Sequence, residues 1–155
     1  MELADILSEE AVIVCAGLKS KAEVLKKLSE HAAQVTGQDV STIYEAVNAR
    51  EMLGSTGLGN GIAIPHGKFV GLPGVTAVFA KLDPAIDFES VDDQPVDLVV
   101  MLLAPLGAGA DHLKALARIA RMLRTDSVVG RLRRSNDAHE IYEILTQPLP
   151  VTRAA

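Results

Sequence analysis

The chain has 155 residues, 48% of them hydrophobic, and a formal net charge of −5. That length fits a single domain over 1–155, and the apolar fraction suffices for a full core without metals or disulfides. The negative charge argues against non-specific nucleic-acid binding, which needs a basic surface, and the single cysteine, Cys15, excludes an internal disulfide or a multi-cysteine metal site.

Without Trp and with three Phe, the core is expected to be aliphatic. The N-terminus carries Glu2 and Asp5 where a signal peptide would be basic. No apolar run approaches the ~20 residues that span a bilayer. A cytosolic chain without membrane insertion is therefore expected.

In chain order, 3–7 reads as a short helical turn and 11–15 as a short strand containing Cys15, a buried small hydrophobe. Ser20-Lys21-Ala22-Glu23 has the capping-box pattern. Leu25, Leu28, Ala32 and Val35 follow at helical spacing and Gly37 closes the run, predicting a helix over 21–36. His31 lies off that stripe and is assigned to the surface. A second helix is predicted over 40–51, capped by Asp39, with Ile43 and Val47 inward. Arg50 projects from the same face at its end. Two readings of Arg50 are open: a cation that complements the helix dipole, or one that reaches under the loop that follows.

That loop holds Gly54, Gly57, Gly59 and Gly61 within eight positions. It leads into a strand over 62–64 that His66 is expected to end. Gly67, Gly71, Pro73 and Gly74 mark a turn. Strands are predicted over 75–82, over 86–88 after a turn at Asp83-Pro84, and over 96–103. The last is nearly continuous in apolar residues, as expected of a strand buried on both faces. After a second Gly-rich connection Asp111 reads as a helix cap, with His112 in the first turn and Leu113, Leu116, Ala120 and Leu123 as the buried stripe. Arg118, Arg121 and Arg124 read as solvated surface. Helices over 126–134 and 137–145 follow, with His139 on the surface. The core is expected over 3–146, with 147–155 a frayed tail. Together these elements predict an α/β (α+β) fold: one mixed sheet with helices on both faces.

Several chemistries are disfavoured. No two histidines share the i, i+4 spacing of a helical zinc pair. Gly57-Leu58-Gly59-Asn60-Gly61 has the wrong spacing for a dinucleotide fingerprint and leads into a strand. Gly67-Lys68 lacks the upstream glycine of a phosphate-binding P-loop, and Phe69 stands where the magnesium-binding hydroxyl belongs. His66 and His112 each follow a Gly-rich connection, so both could meet at one sheet edge, where sites in α/β folds gather. A neutral imidazole is a fair nucleophile near pH 7. Phosphate oxygens take hydrogen bonds from glycine-loop and helix N-terminal N–H groups, and Arg50 could add a charge-assisted contact. His66 therefore reads either as a phosphoryl acceptor or as a residue that merely closes a strand.

Ala49-Arg50-Glu51 and the run from Ser55 to Lys68 (STGLGNGIAIPHGK) resemble the phosphorylation-site signature of type-2 enzyme IIA domains. These belong to the fructose/mannitol class of the bacterial phosphoenolpyruvate:sugar phosphotransferase system. Val96-Asp97-Leu98-Val99, Leu102-Leu103-Ala104-Pro105 and the run from Gly109 to Ala117 are also similar, so the resemblance covers most of the chain. It is strongest to the nitrogen-regulatory enzyme IIA. The resemblance implies that His66 accepts a phosphoryl group from an HPr-like phosphocarrier, that His112 supports it, and that Arg50 stabilises the phosphate. It implies a phosphate loop comprising Ser55, Thr56, Gly57, Gly59 and Gly61, with no cofactor and no metal. The chain carries no fused transporter or enzyme IIB segment, which favours regulation of targets such as potassium transport or a sensor kinase. The alternatives are a sugar-uptake enzyme IIA that passes phosphate to a separate enzyme IIB, and a module that binds an anion non-covalently.

Overall fold

In the computed structural model, residues 2–148 are described. The centre is β6 (Val96–Pro105), in which every residue except Asp97 and Pro105 is buried. Successive side chains of a strand point to opposite faces, so continuous burial means that both faces of the sheet are covered. On one edge β6 pairs antiparallel with β5 (Thr76–Ile86), which pairs parallel with β1 (Val12–Ala16). On its other edge β6 pairs parallel, in succession, with β3 (Ile62–Ala63) and β4 (His66–Phe69). The sheet ends in β2 (Gly57–Gly59), antiparallel to β3. It is mixed and flanked by helices, as the sequence predicts.

Helix α1 (Lys21–Thr36) matches its predicted limits. The Ser20 hydroxyl accepts from the Glu23 N–H at 3.1 Å, and Gly37 closes the helix in the left-handed region at φ 75°. The box is not reciprocal: the Glu23 carboxylate accepts from Lys19 N–H. Helix α2 (Val40–Met52) starts at Asp39, whose carboxylate accepts from Thr42 N–H. It packs on α1 and β4. The remaining helices are α3 (Ala110–Leu123), α4 (Asp126–Arg134) and α5 (Ala138–Thr146). Asp111, expected to cap α3, lies in its first turn. Of the expected tail, 149–155 lies outside the described residues.

Three local expectations are corrected. Asp83-Pro84 does not turn the chain: β5 runs on to Ile86, which still pairs with Val96 after a register shift. The glycine stretch is a β-hairpin rather than an open loop. Asn60 (φ 56°) and Gly61 (φ 82°) supply the two positive φ values that a tight two-residue turn demands. His66 begins β4 instead of ending the preceding strand, because Ile64-Pro65 interrupts the pairing between β3 and β4.

Two polar anchors fix that hairpin. The Asp92 carboxylate accepts from Asn60 N–H at 3.0 Å, a bond that holds its pKa below the ordinary carboxylate value. From α4, Arg133 donates to the Asn60 carbonyl and forms two 2.9 Å bonds to the Asp97 carboxylate. The C-terminus of α4 is itself held from the sheet. The buried Lys81 ammonium of β5 donates to the carbonyls of Arg133 (2.8 Å) and Ser135 and to Asn136 Oδ1 (3.1 Å).

Candidate functional site around His66 and His112

His66 pairs with Leu102 at the start of β4 and is followed by Gly67. A Cβ on Gly67 would lie 3.1 Å from Val47 N and 3.2 Å from Ala46. The missing side chain thus lets α2 lie directly on β4, with its C-terminal Arg50 beside the cavity that His66 lines. The His66 ring is only half-buried. Its Nδ1 lies 3.0 Å from the Ile64 carbonyl oxygen, which can only accept, so Nδ1 carries the proton. In the neutral ring this tautomer puts the lone pair on Nε2, which has no protein partner among the described residues.

His112, in the first turn of α3, brings its ring centroid to 5.6 Å from that of His66, tilted by 52°. The ring is 5% exposed and its Nδ1 is buried without a partner. Burial, and secondarily the neighbouring His66 and Lys68, push its pKa below the ordinary histidine value. That shift favours the neutral ring, which has one N–H to donate.

The stripe expected to bury α3 is met in part: Leu123 is buried, and Leu116 and Ala120 pack partly against the core. His112, Ala115, Ile119 and Met122 face the core, while Leu113 is 65% exposed. Leu116, Ala120 and Arg124, spaced four apart, also line a cavity of about 300 Å³ opposite Arg50, Ser55, Thr56, Gly57, Leu58, Ile64 and His66. Arg124 is exposed, as read from sequence, and is also a second guanidinium at the cavity. Its spacing from Leu116 and Ala120 was the available signal. Gly59 and Gly61 do not line this cavity. Gly59 borders a neighbouring one of about 450 Å³ that shares Leu58 and Arg124, and Gly61 faces Arg133 and Asp97.

The backbone N–H groups near His66 are largely engaged. The Gly57 N–H donates to Ser55 Oγ (3.0 Å), Thr56 N–H to the Glu51 carboxylate (3.4 Å) and Asn60 N–H to Asp92. Those three hairpin amides are committed, and Arg50 and Arg124 are the cationic side chains that line the cavity. Arg50 lies in the last turn of α2 and reaches the following loop: its Nη1 donates to the Gly54 carbonyl at 2.9 Å while its side chain lines the cavity.

Sequence reading missed Glu51. It continues the buried face of α2, four residues after Val47, and is 5% exposed. Its carboxylate pairs with Lys21 at 2.7 Å and accepts from the Thr56 hydroxyl. A charged residue at i+4 on a buried stripe was the signal. The other histidines lie apart: His31 contacts the Glu10 carbonyl, and His139 pairs with Glu9 and Glu143 on the surface. Among the described residues no group of three or more His, Cys, Asp or Glu side chains could hold a metal ion, and no helix is long and apolar enough to cross a membrane.

The profile of the family described as "Phosphoenolpyruvate-dependent sugar phosphotransferase system, EIIA 2" matches residues 5–147. The chain is 50% identical over 154 residues to a nitrogen regulatory protein of Bradyrhizobium diazoefficiens, covering 99% of this chain and 100% of that protein. Its fold superposes on the nitrogen regulatory protein IIA-Ntr of Neisseria meningitidis with a TM-score of 0.86 at 31% identity, over 93% of this chain and 99% of that one. A complex of IIA-mannitol with phosphorylated IIB-mannitol from Escherichia coli shares the fold (TM-score 0.75, 22% identity, 90% and 98% covered).

Proposed function

The chain belongs to the EIIA 2 family of the phosphoenolpyruvate-dependent sugar phosphotransferase system, and from that premise we propose that His66 Nε2 accepts and carries a phosphoryl group. The observation that carries the proposal is the His66 ring itself. Nδ1 is committed to the Ile64 carbonyl, so Nε2 holds the lone pair on a half-buried ring that lines a cavity beside His112.

In the transfer, the Nε2 lone pair attacks phosphorus on a phosphohistidine of an HPr-like donor. The donor's N–P bond breaks and its electron pair returns to the donor imidazole. Phosphoryl transfer needs chiefly alignment and charge stabilisation. Arg50 and Arg124 supply positive charge around the cavity, and neutral His112 donates a hydrogen bond to a phosphoryl oxygen. Ser55, Thr56 and Gly57 form the wall that bounds the phosphate, and the exposed Leu58 and Leu113 offer the donor apolar contact at the rim.

The phosphorylated ring gains about −1.5 to −2 charge at pH 7, by analogy with other phosphorylated side chains. A target protein distinguishes the two forms by that charge, with no change of fold. The 50% identity to a nitrogen regulatory protein supports regulation as the principal use. The enzyme IIB complex of the mannitol relative keeps onward transfer to a separate enzyme IIB as a second use.

Incubation with phosphoenolpyruvate, the first enzyme of the system and an HPr-like carrier should add one acid-labile phosphoryl group, absent in His66→Ala. A phosphoryl group retained by that variant would assign the acceptor to another residue. Addition of purified enzyme IIB, or its omission, then separates onward transfer from retention.

A further inference from the structure

An ion pair with a buried carboxylate stands three contacts behind the acceptor histidine. Glu51 and Lys21 come from different helices, and their 2.7 Å contact leaves the Glu51 side chain 2% exposed. The ammonium also lies 4.9 Å above the ring of the fully buried Phe88. A carboxylate so placed must use its remaining acceptor positions, because burying them empty is costly. It uses them on one residue, accepting from both the hydroxyl and the N–H of Thr56. The Thr56 carbonyl in turn accepts from Ile64 N–H at 3.1 Å, across the hairpin. The Ile64 carbonyl accepts from His66 Nδ1–H at 3.0 Å. Four consecutive contacts therefore run from Lys21 to the imidazole.

We propose that Glu51, held by Lys21, is the positioning residue of His66: by fixing Thr56 it fixes the Ile64 carbonyl, and that carbonyl keeps the proton on Nδ1 and the lone pair on Nε2. The inference rests on the phosphoryl-acceptor reading of His66 for its consequence, but not for its first readout. The residue holding a histidine's second nitrogen decides which nitrogen is free to react. Here that residue is a backbone carbonyl, which cannot adjust by rotating a side chain. Its position is set by whatever anchors the hairpin. The opposite side of the same segment is pinned by Ser55, whose hydroxyl donates to the Phe88 carbonyl at 3.1 Å. Glu51 is thus the charged half of a two-sided clamp on Ser55 to Gly57.

The test uses Glu51→Gln, Thr56→Val and Thr56→Ser, each checked for folding by circular dichroism. In the unphosphorylated protein, two-bond ¹H–¹⁵N correlation of labelled histidine reads the His66 tautomer directly. The wild type and Thr56→Ser should show the Nδ1–H form, whereas Glu51→Gln and Thr56→Val should show a mixture with Nε2–H. Phosphoryl acceptance should slow by about 10–100-fold in the two disruptive variants, by analogy with the loss when outer-shell partners of a metal-bound histidine are removed. The loss should fall on the single-turnover rate at saturating donor, with the donor concentration for half-maximal rate unchanged. Should Glu51→Gln fail to fold, Thr56→Val still removes the hydroxyl half of the same link with a near-isosteric side chain. Folded variants that keep the wild-type tautomer and rate overturn the proposal. A wild type that takes up no phosphoryl group at all would overturn the acceptor reading instead, and the tautomer comparison would still decide the role of Glu51.

Discussion

Replacing Lys81 by Met tests how α4 is tied to the sheet. The substitution keeps the aliphatic stem and removes an ammonium whose three donors are all used, on the carbonyls of Arg133 and Ser135 and on Asn136 Oδ1. Arg133 and Asn136 are exposed and can turn to water, but Ser135 is buried. One orphaned carbonyl costs about 1–3 kcal/mol, and losing the cation at the C-terminus of α4 costs about 0.3–1 kcal/mol more. Against this, the variant no longer desolvates a charge, a cost that can exceed the gain from pairing. We expect the loss to prevail, at about 1–3 kcal/mol net. For a domain of this size that lowers Tm by roughly 2–12 °C. Thermal denaturation monitored by circular dichroism measures it. Because Arg133 also grips Asn60 and Asp97, amide exchange at Asn60 and Gly61 should quicken in the same variant. A Lys81→Met protein as stable as wild type, with unaltered exchange at the turn, would refute the claim that this ammonium is a net stabilising cap.

Gly67→Ala should cost about 1–3 kcal/mol, as overpacking does, because its methyl group meets backbone of α2 at 3.1–3.2 Å; chemical denaturation checks this. In Gly57→Ala the new Cβ would lie 2.3 Å from Ser90 Oγ, so Ser90 must move. Pairing it with Ser90→Gly should restore most of the lost Tm, and failure of that rescue would place the clash elsewhere. For His112, whose folded pKa lies below its ordinary ~6.5, the unfolded chain takes the proton first on acidification. Its contribution is complete above pH ~6.5 and is lost as pH falls toward the folded value, so His112→Gln should flatten that slope in a pH series of Tm values. His139 has the opposite sign: Glu9 raises its pKa, so its contribution is present below pH ~6.5 and disappears as pH rises through the folded value. His139→Gln should remove that trend.

The sequence was most legible where one periodicity governed a whole segment. The span of α1 was readable because Ser20, Glu23 and Gly37 mark both ends chemically, and β6 because a doubly buried strand has no polar face to interrupt it. His66 and His112 were legible as a pair because each follows a Gly-rich connection. The strands β2 and β4 were hidden for opposite reasons. Gly57–Gly59 has almost no side chain to carry a period, although Asn60-Gly61 announced the turn beyond it. His66–Phe69 is short and mixed, and its strand character comes from β6 beside it. On α3 it was Leu113 that was misassigned, because Leu113, Leu116 and Ala120 form as good an apolar row as the one that faces the core, and composition alone cannot rank two such rows. Glu51 was passed over because its place four residues after Val47 is a weak signal and its partners, Lys21 and Thr56, are supplied by tertiary structure.

That second apolar row has a practical outcome for mutational surveys. Leu113 touches little of its own chain, so exchanging it for a polar residue should leave melting behaviour and solubility intact. A screen that scores only how well the isolated protein holds together would record the position as neutral. Its worth would emerge solely in a reconstituted relay, as weaker engagement of the donor.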